Sequence, residues 1–404
     1  MTNRGVAAEV RTIAQRPGGA PYWRLSGFYF VYFTVTGAFV PYWSLYLRHF
    51  GYAPVAIGVL TAVPMATKIV APFLWGWLAD RSGQRMRVIR LGTWFAALSF
   101  LGIFFGHDAL WLALVVGAFS FFWNAALPQF EAATLGHLGA HDHHYSRIRL
   151  WGSIGFVVSV VALGWAFGVV SVTWLAPVIA VLLVALWLSS LAVPGPPVPT
   201  WTDAPQHGIG PALRQPAVLA LLLTCLLIQT SHGPYYVFFT LYLRDHGYSS
   251  AVTGELWALG VLAEIVVFVF MPRLLPRFGA RRLLIFALSA TVLRWVLIAT
   301  LVDSLPVLVF SQTLHAASYG IYHAAAIYLI YRYFPGQLQG RGQALYSSVS
   351  FGLGGALGAL ASGYVWSGVS PAATFLMGAA LAAGGAVVAY VGVRGISPVQ
   401  SPVR

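Results

Sequence analysis

Charge is scarce in this sequence. Acidic and basic residues make up 8% of the 404 positions, against 59% apolar residues, where a soluble domain carries roughly a quarter charged residues. A chain of soluble domains is thereby excluded. Lysine is scarcer still, with Lys68 alone against twenty-two arginines and ten acids. A net charge of +13 on a soluble protein points to nucleic acid. Here, however, the arginines stand singly between long apolar runs, so membrane topology accounts for them and no nucleic-acid partner is expected. One cysteine, Cys225, excludes a disulfide framework and a cysteine-rich metal site. The GxSxG, HExxH and Walker patterns are absent, which argues against an intramembrane enzyme and an ATP-driven pump. His141, Asp142, His143 and His144 are metal-ligating types, but they sit in a polar loop without a second cluster. They read as a solvated loop, and no metal is expected.

Long apolar runs fill the rest. Windows long enough to cross the hydrocarbon core, about 20 residues, fall near 25–47, 55–79, 88–106, 109–133, 149–170, 172–193, 217–243, 252–272, 283–302, 305–331, 343–366 and 372–393. Twelve helical spans are therefore expected in an all-α membrane protein. The runs lack the alternation of barrel strands. Residues 1–24 read as a tail and not as a signal peptide. With the N-terminus inside, eighteen of the twenty basic residues outside the spans fall in cytoplasmic segments, leaving only Arg48 and Arg244 outside. Both termini are expected in the cytoplasm, in a bacterial inner membrane.

The chain also repeats itself. Tyr46-Leu-Arg-His-Phe-Gly51-Tyr52 recurs as Tyr242-Leu-Arg-Asp-His-Gly247-Tyr248, a shift of 196 residues. The same shift carries Gly58 to Gly254 and the basic loop Arg81–Arg85 to Arg277–Arg281. A proline-rich stretch from Pro194 to Pro205, which cannot remain helical, separates the copies. The expected organisation is a tail (1–24), a six-helix bundle (25–193), a cytoplasmic linker (194–215), a second six-helix bundle (216–394) and a tail (395–404).

Gly76-Trp-Leu-Ala-Asp80-Arg81-Ser-Gly83-Gln-Arg85 resembles the signature loop between helices 2 and 3 of the major facilitator superfamily. The resemblance implies a conformational latch made by Gly76, Asp80, Arg81, Gly83 and Arg85. The second copy has Pro276 where the acid would stand. Over its whole length the chain resembles the lactose-permease and phenylpropionate-permease branch. Arg147-Ile-Arg149-Leu-Trp-Gly152 matches the stretch carrying that branch's substrate-binding arginine, and Glu131 falls on its carboxylate partner. Arg294 and Thr313-Leu-His315 match residues of the coupling network. His232, Tyr235, Tyr236, Glu264 and His323 resemble the phenylpropionate type. Phe156 replaces the sugar-stacking tryptophan, and Gln312 and Ser318 replace a lysine and a glutamate of helix 10. The resemblance thus points to a transporter more than to a sugar.

Ionisable groups inside the spans carry the functional reading. A charge at the bilayer centre costs at least about 2.5–3.5 kcal/mol, so its retention needs a reason. Lys68 lies mid-span, where it cannot snorkel, and is a candidate for a substrate carboxylate or a partner for Glu131. The expected substrate set is Lys68, Glu131, Arg149, Phe156, Tyr235, Tyr236 and Tyr319. Tyr29 and Trp123 are further candidates for aromatic walls. The expected proton-coupling set is Glu264 beside Arg294, with His315, His323 and His232. His315, Tyr319 and Tyr322 share one helix face. These residues suggest a monomeric secondary transporter in the lipid bilayer, driven by the proton gradient without a cofactor. It would move protons with a small organic solute, first an aromatic or other small carboxylate. A neutral sugar or nucleoside, proton-driven efflux, and a non-transporting receptor are the alternatives.

Overall fold

The computed structural model of the chain describes residues 20–139, 144–196 and 209–393. His141, Asp142 and His143 and most of the proline-rich linker lie outside the described residues. Within them every regular element is helical. In chain order these are α1 Tyr22–His49, α2 Pro54–Ser82, α3 Arg85–Phe104, α4 Ala109–Leu138, α5 Tyr145–Ala166, α6 Val172–Ala192, α7 Pro216–Asp245, α8 Ser250–Phe278, α9 Ala280–Thr300, α10 305–333, α11 Gln339–Gly368 and α12 Pro371–Gly392. A short turn, Gly210–Leu213, precedes α7.

Ten of these helices are long and apolar enough to cross a membrane, where the sequence led to an expectation of twelve. The other two windows, α1 and α10, are helical but more polar. α1 carries five tyrosines with Arg24 and Arg48, while α10 carries Gln312, Thr313, His315, Ser318 and His323. α10 is also irregular, turning at Leu314 and running as a π-helix over Ala316–Ile321. A second π-helical stretch, Ser348–Gly354, lies in α11.

Local chemistry sets the boundaries. The Asp108 carboxylate caps α4 by accepting from the Leu110 and Trp111 amides, and Ser249 caps α8 at Val252. The turns after α1 and α7 need a left-handed residue, which Gly51 (φ 82°) and Gly247 (φ 81°) supply at repeat-related positions. Next to them, Tyr52 donates to the His107 carbonyl and Tyr248 to the Val302 carbonyl, again one repeat apart. Burial, then the neighbouring Asp108 and Asp303, hold these two phenols above their ordinary pKa, so they remain protonated donors.

α1 packs chiefly on α5 and α6, α3 on α4 and α6, and α2 on α4; α9 packs on α10 and α12, and α7 on α11 and α12. Two seams join the first six helices to the last six, α2 against α11 and α5 against α8. The repeat relates them, since α2 corresponds to α8 and α5 to α11. Both seams need glycine. A Cβ on Gly58 would lie 2.7 Å from the Ala359 carbonyl oxygen, and one on Gly254 would lie 2.5 Å from that of Val160. An ion pair between Arg48 and Asp245 (2.5 Å) bridges the halves at the same end. The apolar core of α1–α6 continues there into residues 235–243 of α7 and into Trp257 and Ala356. At the other end the last six helices have a separate core around Leu221, Leu284, Tyr322 and Leu329. The halves therefore share a core at the Arg48/Arg244 end and not at the Arg81/Arg277 end.

Candidate functional site

Lys68 can be placed by the neighbours of its helix turn. At about 100° per residue, Met65 and Ile69 point to α11, where Ser348 Oγ donates to the Ile69 carbonyl at 2.7 Å. Pro64 and Thr67 point to α4, where Asn124 Nδ2 donates to the Pro64 carbonyl (3.2 Å) and to Thr67 Oγ1 (2.9 Å). Ala66, Val70 and Phe73 are exposed on the outer side. The remaining direction, taken by Lys68, is the cleft between the halves. Its Nζ lies 3.8 Å from Met65 Sδ, and no carboxylate pairs with it among the described residues. Glu131 is thus not its partner.

Glu131 stands near the Tyr145 side chain and within electrostatic range of Arg149. Arg149 also lies within range of Glu264, which belongs to the other half. Its guanidinium covers the Phe33 ring, 3.9 Å from the centroid, and approaches Tyr29 at 5.7 Å. One arginine thus stands within electrostatic range of acids from both halves, forming an ion pair with neither among the described residues.

Arg294 departs from expectation because Glu264 is not beside it. Fully buried on α9, it donates to Gln312 Oε1 (3.0 Å), Ser318 Oγ (3.1 Å) and His315 Nδ1 (2.8 Å), and packs between the Tyr235 and Trp295 rings. Because Nδ1 accepts from a guanidinium, the imidazole proton sits on Nε2, which faces Glu264 Oε2 at 3.7 Å. His315 stands between the cation and the acid. Gln312, which replaces a lysine in the resemblance, also accepts from Tyr235 at 3.1 Å.

Further along α10 the rings of His315, Tyr319 and His323 form a ladder. Successive centroids are 5.6 and 5.8 Å apart, with interplanar angles of 15° and 5°. A regular α-helix turns residues four apart by about 40° relative to one another, so three such residues would fan out. The π-helical stretch inserts an extra residue into the turn and brings them back into line. Tyr322 points instead to α11 and accepts from Tyr346. His323 Nδ1 meets Tyr346 Oη at 2.9 Å, and Phe351 packs beside Tyr319, His323 and Tyr346. Sequence reasoning missed Phe351 and Tyr346, because aromatic residues are 15% of the chain and nothing local distinguishes these two.

Several expected wall residues are packed away. Tyr29, Trp123, Phe156 and Tyr235 are buried, with Trp123 stacked on Tyr32 and Phe119 and edge-on to Phe39 inside the first half. Tyr236 and Tyr319 remain half-buried. His232 is sealed as well. Its Nδ1 donates to the Ile228 carbonyl at 2.7 Å, leaving a buried, unpartnered Nε2. In the signature loop Asp80 pairs with Arg85 (2.7 Å), and Arg85 also donates to Gln129 of α4. Gly83 takes a left-handed conformation, Gly76 sits against Gln129, and Arg81 covers Trp77. In the second copy Arg281 donates to the Tyr390 carbonyl near the end of α12, a favourable place for a cation. Among the described residues no group of three or more His, Cys, Asp or Glu side chains is placed to hold a metal.

The family model described as "MFS_1 like family" matches residues 22–377. The chain belongs to this family. It is 30% identical over 347 residues to the probable 3-phenylpropionic acid transporter of Escherichia coli (strain K12), covering 80% of this chain and 86% of that protein. It is 28% identical over 351 residues to the maltose permease of Geobacillus stearothermophilus, covering 84% and 86%. A crystal structure of the nucleoside transporter NupG shares the fold, with a TM-score of 0.77 and 18% identity over 91% of this chain and 97% of that one. This MFS_1-like chain is accordingly an integral multi-pass membrane protein of the transporter class, and its relatives are transporters and not enzymes.

Proposed function

We propose that this MFS_1-like protein is a secondary transporter of a small organic carboxylate, first an aromatic one, working by proton-coupled alternating access. One observation carries the reading: between the halves stand a lysine with no acid partner among the described residues and an arginine within electrostatic range of acids from both halves. A substrate carboxylate supplies the counter-charge that Lys68 lacks. A proton on Glu264 releases the share of Arg149 that Glu264 holds and leaves the arginine to Glu131 and the substrate. Proton and substrate then bias the same inter-half contact, which is what coupling requires. The name of the E. coli relative supports the substrate class. A neutral sugar, as in the name of the maltose permease, leaves Lys68 without a counter-charge.

In this reading all twelve helices cross a bacterial inner membrane, in two six-helix bundles with the linker and both termini in the cytoplasm. The cleft opens toward the Arg81/Arg277 end, the cytoplasmic one, and the protein acts as a monomer without a cofactor. The test is uptake of aromatic carboxylates into proteoliposomes under an imposed pH gradient. Wild type should accumulate them, and Glu264→Gln should lose gradient-driven accumulation while retaining counterflow exchange. Accumulation that persists in Glu264→Gln would remove this acid from coupling, and no carboxylate uptake by wild type would overturn the substrate class.

A further inference from the structure

We propose that substrate selectivity is set by an aromatic slot on α10 and α11, with the flat faces of Tyr319, His323 and Phe351 receiving a planar ring whose carboxylate reaches Lys68. The inference deepens the carboxylate reading and rests on it. It moves His323 from proton handling to substrate recognition and adds Phe351, which no sequence motif singles out.

Accessibility is the first support. Tyr319, His323 and Phe351 are each half-buried, while the residues behind them, His315 and Tyr346, are buried. The slot therefore has an open side and a fixed back. Tyr346 holds the His323 ring by its Nδ1 at 2.9 Å, so that ring cannot swing to suit a ligand. Phe351 stands at 52° to Tyr319 and 55° to His323, with centroids 6.4 and 6.0 Å away. At these separations the three rings touch one another, so a planar guest lies on their partly open side, stacked on one ring and edge-on to another.

Backbone geometry is the second. The ladder rings are aligned by the π-helical stretch of α10, and Phe351 lies within that of α11. Such stretches are rare and recur at functional sites.

Charge is the third. Arg149 lies within electrostatic range of Glu131 and Glu264, whereas no acid among the described residues stands so near Lys68, so an incoming carboxylate gains most at Lys68. The ammonium and the slot also flank the same seam, since Ile69, next to Lys68, packs on Gly352, next to Phe351. A ring in the slot and a carboxylate at Lys68 require a short linker between them. The substrate class is an aryl-alkyl monocarboxylate.

The test measures proton-driven uptake of 3-phenylpropionate and its saturated-ring counterpart 3-cyclohexylpropionate by wild type, Phe351→Leu and Phe351→Tyr in proteoliposomes. Both acids carry the same carboxylate and linker, and only one can stack. Wild type should prefer the aromatic acid, by KM, about two- to tenfold. Phe351→Leu should erase that preference, and an unchanged melting temperature in detergent shows that the variant is folded. Phe351→Tyr should keep the preference. Equal losses for both acids in Phe351→Leu, or an unchanged preference, would overturn the slot and leave carboxylate transport standing. Uptake of neither acid by wild type would overturn both.

Discussion

Removing the Lys68 ammonium breaks no ion pair among the described residues, where its hydrogen-bond contact is a thioether. Deleting one member of a buried pair is costly because it strands the other, and here no partner is stranded. Lys68→Met should therefore melt at the same temperature as wild type or higher without ligand. It should lose the rise in Tm that an aromatic carboxylate gives wild type, as read by thermal unfolding in detergent. Arg294→Met should behave oppositely. The Gln312, Ser318 and His315 acceptors lose their donor in a site without exposure, a penalty of roughly 1–3 kcal/mol. The same melts should show this loss with and without ligand. The two cations differ in legibility for a physical reason. Lys68 stood out as the only lysine in an apolar run, whereas the partners of Arg294 depend on how α9 and α10 are rotated against each other. The in-span charges and the resemblance therefore suggested Glu264 beside Arg294, and the fold interposes His315.

At the scale of elements, the two π-helical stretches decide which side chains share a face. Deleting Ala317 from the π-helical turn of α10 should restore regular α-helix and turn Tyr319, then three residues from His315, by about 60° out of the ladder. The expected outcome is loss of aromatic-acid transport in a protein that still elutes as one symmetric gel-filtration peak. Retained transport would show that the ladder is not needed. One extra residue in a turn leaves no mark on composition or hydrophobic pattern, so neither stretch could be read from the sequence. The repeat could, because the turn at Gly51 and the seam at Gly58 constrain backbone in the same way as Gly247 and Gly254. The aromatic walls were read poorly for a related reason. Trp123 and Phe156 lie on correctly expected helices, but the side each presents is set by packing of α1 on α4 and α5.

At the scale of the molecule, the proposed alternating access requires the shared core at the Arg48/Arg244 end to open, and two devices resist that opening. The Arg48–Asp245 pair is about 40% exposed on each side, and exposed pairs contribute only about 0–1 kcal/mol. Asp245→Asn should then shift the balance between the two conformations by no more than about fivefold, with an effect that fades as salt screens the charges. The glycine seams are stronger. A side chain at Gly58 or Gly254 would meet backbone oxygen well inside van der Waals distance, and backbone cannot rotate away as a side chain can. Gly58→Val and Gly254→Val should therefore hold the halves apart at this end whatever the salt concentration. Spin labels on His49→Cys and His246→Cys report the separation, since Cys225 is buried and stays unlabelled. Their mean distance should lengthen in either valine variant and change little in Asp245→Asn. The reverse order, a large opening in Asp245→Asn and none in the valine variants, would make the ion pair the device that keeps this end closed.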